Sequence, residues 1–230
     1  MISNNKLGEF TEWEKLLFLE GQGTEITDEY LDADKVIISD CDGILTDGGH
    51  YYDYSGKYLK RFGSCDKEAM RFMSKCGWRL LFVTSDPTGD KITRRRLDDW
   101  GVYESPKSLI IDFSTFELVD DYFNSEPRIK KNFIRDVDWI LRGALVSAFK
   151  KKDVYTVFIG DSLSDLPAAS RADLFCTVDN ALDIVKENAR IVSKKMGGFG
   201  GFADLMYKIH FSVGNQYTGL PFILSKKQTI

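Results

Sequence analysis

Acids and hydroxyls cluster directly behind three apolar runs of this chain. Asp40, Asp42 and Gly43 follow Val36-Ile-Ile38, Thr84 and Ser85 follow Leu80-Leu-Phe-Val83, and Asp161 and Asp165 follow Val154-Tyr-Thr-Val-Phe-Ile159. Short, β-branched apolar runs mark strands buried on both faces, and open α/β sheets bind ligands beyond the C-terminal ends of such strands. In a parallel sheet the three ends share one edge, so these side chains would converge. Two carboxylates spaced i, i+2 repel one another, an arrangement that makes chemical sense if a hard cation such as Mg²⁺ neutralises them. Gly43 would let the backbone turn sharply beside whatever is bound. The plain alternatives are a turn with solvated aspartates and a Thr84 that only caps the next turn.

The elements needed to hold these residues are legible around them. Residues 48–62 carry aromatic side chains on either side of Asp53-Tyr-Ser-Gly56, which predicts a β-hairpin. Ala69, Met70 and Met73 recur at helical spacing between Asp66 and Cys76, and Gly77 ends that helix. A second helix is predicted from Ile92 to Trp100 and a third from Trp139 to Lys150. Leu174–Val178 reads as a fourth strand, Ala181–Asn188 and Phe202–Ile209 as helices, and Ile191-Val192 as a last short apolar pair. Thr11-Glu-Trp-Glu14 has capping-box spacing ahead of Lys15–Leu19, so a short helix is expected in an N-terminal extension, residues 1–34. Residues 103–135 read as irregular, with Asp112, Glu117, Asp120, Asp121 and Glu126 interleaved with Phe113, Phe116, Tyr122 and Phe123.

At 230 residues and 43% hydrophobic, the chain has enough apolar material for one sizeable core, expected over 35–212 with a tail at 213–230. A net charge of −4 argues against nucleic acid as a partner, since that binding relies on many cations neutralising phosphates. Cys41, Cys65, Cys76 and Cys176 form no CxxC pair, which points to free thiols in a reducing compartment. No apolar run approaches 18 residues, so no membrane span is expected, and the reading is a cytoplasmic protein.

Asp40-Cys-Asp42-Gly-Ile-Leu-Thr-Asp47, Phe82-Val-Thr84 and Gly160-Asp161-Ser-Leu-Ser-Asp165-Leu-Pro167 resemble motifs one, two and four of the haloacid dehalogenase-like phosphatases. Leu45-Thr-Asp-Gly48, Lys60-Arg-Phe62 followed by Asp66, and Gly197-Gly-Phe-Gly200 are similar to the uncapped branch of 3-deoxy-manno-octulosonate 8-phosphate phosphatases and the phosphatase-like domain of sialic acid cytidylyltransferases. The resemblance covers roughly residues 35–210. It implies a doubly wound, Rossmann-like parallel α/β sheet with a hairpin flap and no large cap domain.

The resemblance also implies a hydrolase that uses Mg²⁺ and passes through an aspartyl-phosphate. Asp40 would be the nucleophile and Asp42 the acid and base. The metal would be held by Asp40, the Asp42 carbonyl and Asp161, with Asp165 assisting from behind. Thr84 would donate to a phosphoryl oxygen, and Arg142, in Arg142-Gly-Ala-Leu, would supply the cation of motif three, with Lys130, Lys131 and Arg135 as competitors. Gly43, Thr84, Ser85, Arg142 and Phe199 are the residues expected against the substrate.

Two departures bear on that substrate. The sugar-acid phosphatases follow motif two with Gly-Arg and carry an arginine in the late glycine-rich stretch, whereas this chain has Ser85-Asp86 and Phe199. A small sugar or sugar-acid phosphate is the first expectation and a nucleotide the second. A polynucleotide end ranks below both, and a fold kept only as a scaffold is the third class. The resemblance further implies a homo-oligomer, most simply a tetramer, in which a neighbour's hairpin and tail cover the site. Residues 103–135 would form a small lid.

Overall fold

The computed structural model describes residues 35–86, 89–100, 108–112, 142–143, 145–147, 149–150 and 153–213. Its centre is a six-stranded sheet in which every neighbouring pair is parallel. The strands are β1 (Lys35–Asp40), β4 (Arg79–Thr84), β5 (Ser108–Asp112), β6 (Tyr155–Ile159), β7 (Leu174–Thr177) and β8 (Ile191–Val192). Their order is β5-β4-β1-β6-β7-β8. The chain therefore builds outward from β1 through β4 to β5, then returns to the other side of β1 and builds outward again. The strand order reverses between β1 and β6, the place where ligands bind in sheets of this class.

Strand periodicity divides the core between the two faces of the sheet. Ile37, Leu80, Phe82, Val157 and Ile159 pack on one face with Ala69, Met70, Met73, Leu97, Phe202, Leu205, Met206 and Ile209. Val36, Ile38, Leu81, Val83 and Phe158 pack on the other with Leu145, Val146, Phe149, Ala168 and Val185. The first set of helical residues comes from α1 (Asp66–Lys75), α2 (Asp90–Asp99) and α5 (Gly201–Val213). The second comes from the helical residues 145–147 and 149–150, from α3 (Leu166–Ala169) and from α4 (Asp183–Asn188). Both faces being covered explains why the strands read as continuous apolar runs rather than alternating ones.

The predicted hairpin is present as β2 (Tyr51–Asp53) and β3 (Gly56–Leu59), antiparallel and outside the main sheet. An isolated bridge between Thr46 and Phe62, with the Asp47 N–H donating to the Arg61 carbonyl at 3.3 Å, ties its base to the loop that follows Asp42.

One expectation is corrected. Residues 103–135 are not wholly irregular, because Ser108–Asp112 is the edge strand β5, in register with Leu80–Thr84 of β4. Ser-Leu-Ile-Ile-Asp is a short run whose pairing partner lies more than twenty residues away. The acids and aromatics on its C-terminal side outweighed it in a local reading. The remaining acids and aromatics of that stretch, the N-terminal helix at 11–19, Lys130, Lys131, Arg135 and the tail at 219–224 lie outside the described residues.

Candidate active site

Three neighbouring strands deliver the site. Asp40 is the last residue of β1 and lies opposite Val83 in the register, so Thr84 stands one step beyond it on β4. On the other side Ser39 is opposite Ile159, which places Gly160 and Asp161 just past the strand end. Parallel pairing thus converts three separate runs into one edge.

Arg142 is the hub. It is only 3% exposed, and its Nη1 lies 2.9 Å from Asp40 Oδ1 and 2.7 Å from Asp165 Oδ1, while Nη2 donates to Ser85 Oγ at 3.2 Å. The planar fork of a guanidinium can serve several acceptors at once, which an ammonium does less well. Of the four cations weighed for this position, Arg142 is the one that the described residues place against Asp40.

Asp165 is fully buried and saturated. Its Oδ1 takes the Arg142 contact, and its Oδ2 accepts the N–H of Asp161, the N–H of Ser162 and the Ser162 hydroxyl, each at 3.0 Å. The reciprocal box between Ser162 and Asp165 opens a single 3₁₀ turn, Leu163–Asp165, which leads into α3 with Pro167 in its first turn. Gly160 is needed here for space: a Cβ on it would come within 2.5 Å of the Asp165 side chain.

Asp161 is different. Its Oδ1 is buried and has no hydrogen-bond partner, a costly arrangement for a carboxylate. Burial pushes this group up to about 7, Asp165 adds to the shift, and Arg142 opposes it. Asp40 is also raised, chiefly by burial, against the pull of Arg142 and with the help of Asp165, Asp161 and Asp42. One carboxylate oxygen from each of Asp40, Asp161 and Asp165 falls within 4.8 Å of the others. Crowded acids with one orphaned oxygen fit a small hard cation that takes oxygen ligands. Both Asp165 oxygens accept from neighbours, and of the three acids Asp161 is the one with a buried oxygen that has no partner.

Gly43 makes the approach possible. Its φ is +90°, and a Cβ built there would lie 2.0 Å from Asp161 Oδ2. Its N–H donates to Thr46 Oγ at 3.2 Å, and its carbonyl accepts from Asn180 at 3.3 Å. Asn180 also accepts the Gly197 N–H at 2.7 Å, so it bridges the loop after β1 to the late glycine-rich loop. Gly197 lies so close to that loop that a Cβ would sit 1.9 Å from the Gly43 carbonyl oxygen. Asn180 was not a sequence candidate, since a lone asparagine carries no spacing signal.

Asp42 is not one of the three clustered carboxylates. Its side chain is held by Lys60, whose Nζ lies 2.8 Å from Oδ1 and 3.0 Å from Oδ2, and by the Thr46 hydroxyl at 3.3 Å. Lys60 also meets Asp86 Oδ2 at 2.9 Å and the Thr93 hydroxyl at 3.1 Å. Burial works against its charge, but Asp42 and Asp86 outweigh burial and hold it raised. Asp86, despite burial, is held well below the usual carboxylate range by Lys57 and Lys60. Lys60 was noticed in sequence only as part of a motif, and its pairing across 18 residues could not be read there.

Thr84 is 1% exposed and its Oγ accepts the Asp86 N–H at 3.3 Å. Phe199 is half-exposed and the Arg61 guanidinium stacks on it at 3.9 Å.

No family model matches the chain. It is 25% identical over 171 residues to the 3-deoxy-D-manno-octulosonate 8-phosphate phosphatase of Haemophilus influenzae, a match that covers 74% of this chain and 79% of that protein. Among solved structures it is similar to the Moraxella catarrhalis 3-deoxy-D-manno-octulosonate 8-phosphate phosphatase in complex with magnesium, phosphate and KDO. The TM-score is 0.58 at 23% identity, covering 82% of this chain and 93% of that one. The cobalt-bound Haemophilus influenzae enzyme gives a TM-score of 0.55 at 22% identity, over 80% and 91%. No helix among the described residues is long and apolar enough to cross a membrane.

Proposed function

We propose that this chain, a homologue of the haloacid dehalogenase-like phosphatases, hydrolyses a small phosphate monoester in two steps through a phosphorylated Asp40. The observation that carries the reading is the Arg142 hub. One buried guanidinium holds Asp40 and Asp165 while Asp161 keeps an orphaned oxygen beside them. Phosphoryl transfer is mostly positioning and neutralisation of charge, and this cluster supplies both.

Asp40, Asp161 and the Asp42 carbonyl would hold Mg²⁺, which when bound offsets the charge of these acids and of the phosphate. Asp165 acts behind them: it fixes Arg142 and the Asp161 backbone. In the first step an Asp40 oxygen attacks phosphorus, the bond to the ester oxygen breaks, and the Asp42 carboxyl gives its proton to that oxygen, releasing the alcohol. In the second, water attacks the aspartyl-phosphate, Asp42 takes the water proton, and the phosphorus bond to Asp40 breaks to give inorganic phosphate. Thr84, whose oxygen already accepts from Asp86, has its hydroxyl proton for a phosphoryl oxygen, and Ser85 steadies the far arm of Arg142. Gly43, with no Cβ, lets the Asp161 carboxylate stand against the loop after β1.

The substrate class we favour is a sugar or sugar-acid phosphate, as the names of the relatives suggest. A nucleotide is the second reading, and the half-exposed Phe199 ring favours it as a platform for a base. A Mg²⁺-dependent phosphate-release screen over sugar phosphates, sugar-acid phosphates and mononucleotides decides between them. Release from none of the three classes would overturn the reading.

A further inference from the structure

The proposal below rests on the role given to Asp42 above. Asp42 must present its carboxyl to the leaving oxygen in one step and to water in the next. A half-buried carboxylate at the tip of a loop has no intrinsic reason to keep one orientation. What fixes it here comes from the hairpin.

The Lys60 ammonium has three protons to donate, and it has three acceptors: the Asp42 carboxylate, Asp86 Oδ2 and Thr93 Oγ. Each acceptor is itself held. The Thr93 hydroxyl, fully buried on α2, donates to the Gly89 carbonyl at 3.5 Å, which leaves its lone pair toward Lys60. Asp86 accepts the Gly89 N–H at 3.0 Å on Oδ1 and Lys57 Nζ at 2.5 Å on Oδ2. The packing is close enough that a Cβ on Gly89 would lie 2.2 Å from Asp86 Oδ2 and 2.6 Å from Lys60 Cε. The backbone around Lys60 is tied to the Asp42 loop as well, by the Thr46–Phe62 bridge and the bond from the Asp47 N–H to the Arg61 carbonyl. Lys60 thus stands between Asp86, just past β4, and Thr93 of α2, with one face of its ammonium given to Asp42.

We propose that Lys60 is a positioning residue that sets the Asp42 carboxyl for proton transfer to the leaving group. It touches neither phosphate nor metal in this scheme and acts only through Asp42. The need for that proton depends on the ester. p-Nitrophenolate departs readily without one, whereas phenolate, a much stronger base, needs it.

The test compares kcat/KM, which reports phosphoryl transfer to Asp40, for p-nitrophenyl phosphate and phenyl phosphate with Mg²⁺ present. Lys60→Met is expected to lower kcat/KM for phenyl phosphate at least about tenfold more than for p-nitrophenyl phosphate, a modest share of what a general acid contributes. Asp42→Asn should show the same split more strongly, and the double variant should lose no more than Asp42→Asn alone. Thr93→Val, which removes only an acceptor of Lys60, should show a weaker split of the same sign and keeps the proposal testable if Lys60→Met does not fold. Equal losses on both esters in Lys60→Met and Thr93→Val, beside a clear split in Asp42→Asn, would overturn the Lys60 assignment and leave the reading of Asp42 standing. Additive losses in the double variant would do the same. No split in Asp42→Asn would overturn the reading of Asp42 itself and this proposal with it.

Discussion

Replacing Arg142 by Met removes the guanidinium while keeping a comparable apolar stem. In the parent, that one group faces Asp40 at 2.9 Å and Asp165 at 2.7 Å, and both the arginine and Asp165 are almost wholly out of water. Breaking a buried pair by deleting one partner typically costs about 3–5 kcal/mol, because the charge left behind has neither water nor a counter-ion. The cost has a ceiling, since an unpaired carboxylate can take up a proton. A loss of about 3–5 kcal/mol is a large part of the roughly 5–15 kcal/mol that holds most domains together. At about 2–4 °C per kcal/mol for a chain of this size, the melting temperature should fall by roughly 6–20 °C. The deficit should narrow as pH falls toward 5, because protonating the stranded carboxylate becomes cheaper there. Arg142→Lys should recover part of the stability but little turnover, since one ammonium cannot serve Asp40, Asp165 and Ser85 together. Calorimetry of the metal-free protein at pH 5 and pH 7.5 measures both effects. A melting temperature within about 2 °C of the parent at pH 7.5 would refute the claim that Arg142 compensates buried acids.

Other expectations follow from the same geometry. Asp161→Asn should raise the Mg²⁺ concentration needed for half-maximal rate by at least about tenfold, while Asp42→Asn should slow turnover about 10²-fold with that requirement nearly unchanged; identical metal dependence would break the division of roles. Gly43→Ala forces a side chain into a φ of +90° and against Asp161, so turnover should drop by about 10² from misplacement of that carboxylate, measured by steady-state kinetics at saturating Mg²⁺. Asp66, buried at the start of α1, is raised to about 6 by burial, against the hydrogen bond from the Ala203 N–H. A raised carboxylate stabilises below its unfolded value and loses that contribution as pH climbs through the folded one. Stability should therefore fall by up to about 3 kcal/mol between pH 4 and 6, and Asp66→Asn should flatten that slope in urea titrations. The hairpin exposes Tyr52, Tyr54, Tyr58 and Leu59, and we expect light scattering to find an oligomer rather than a monomer.

How much of this could be read from sequence depends on the range of the interaction. The strands ending at Asp40, Thr84 and Ile159 announced themselves, because burial on both faces demands unbroken apolar runs, and chemistry-bearing residues stood directly behind them. Parallel pairing then made their convergence a deduction. The hairpin was legible from its turn residues, and α1 from its apolar spacing and Gly77. Strand β5 was missed because its five residues gain meaning only from β4, and the acids that follow it suggested a loop. The service Lys60 gives to Asp42, and Asn180 gives to Gly43 and Gly197, depends on contacts between residues 18, 137 and 17 apart, which no local pattern encodes. Arg142 lay between these cases: its residue type suited the role, its place against Asp40 and Asp165 came only with the tertiary structure, and Lys130, Lys131 and Arg135 lie outside the described residues. Glycines 43 and 197 were visible as residue types, yet the reason for them, a carboxylate and a carbonyl where a Cβ would be, was not.

The account stands or falls on whether Asp40 carries the phosphoryl group. Acid quenching during the first turnovers of ³²P-labelled p-nitrophenyl phosphate with Mg²⁺, followed by peptide mapping, tests this directly. The account predicts transient label on the peptide that contains Asp40, longer-lived in Asp42→Asn and absent in Asp40→Asn, whose turnover falls by at least about 10³. Steady phosphate release with no label on the protein at any time, and an Asp40→Asn variant within tenfold of the parent, would contradict it.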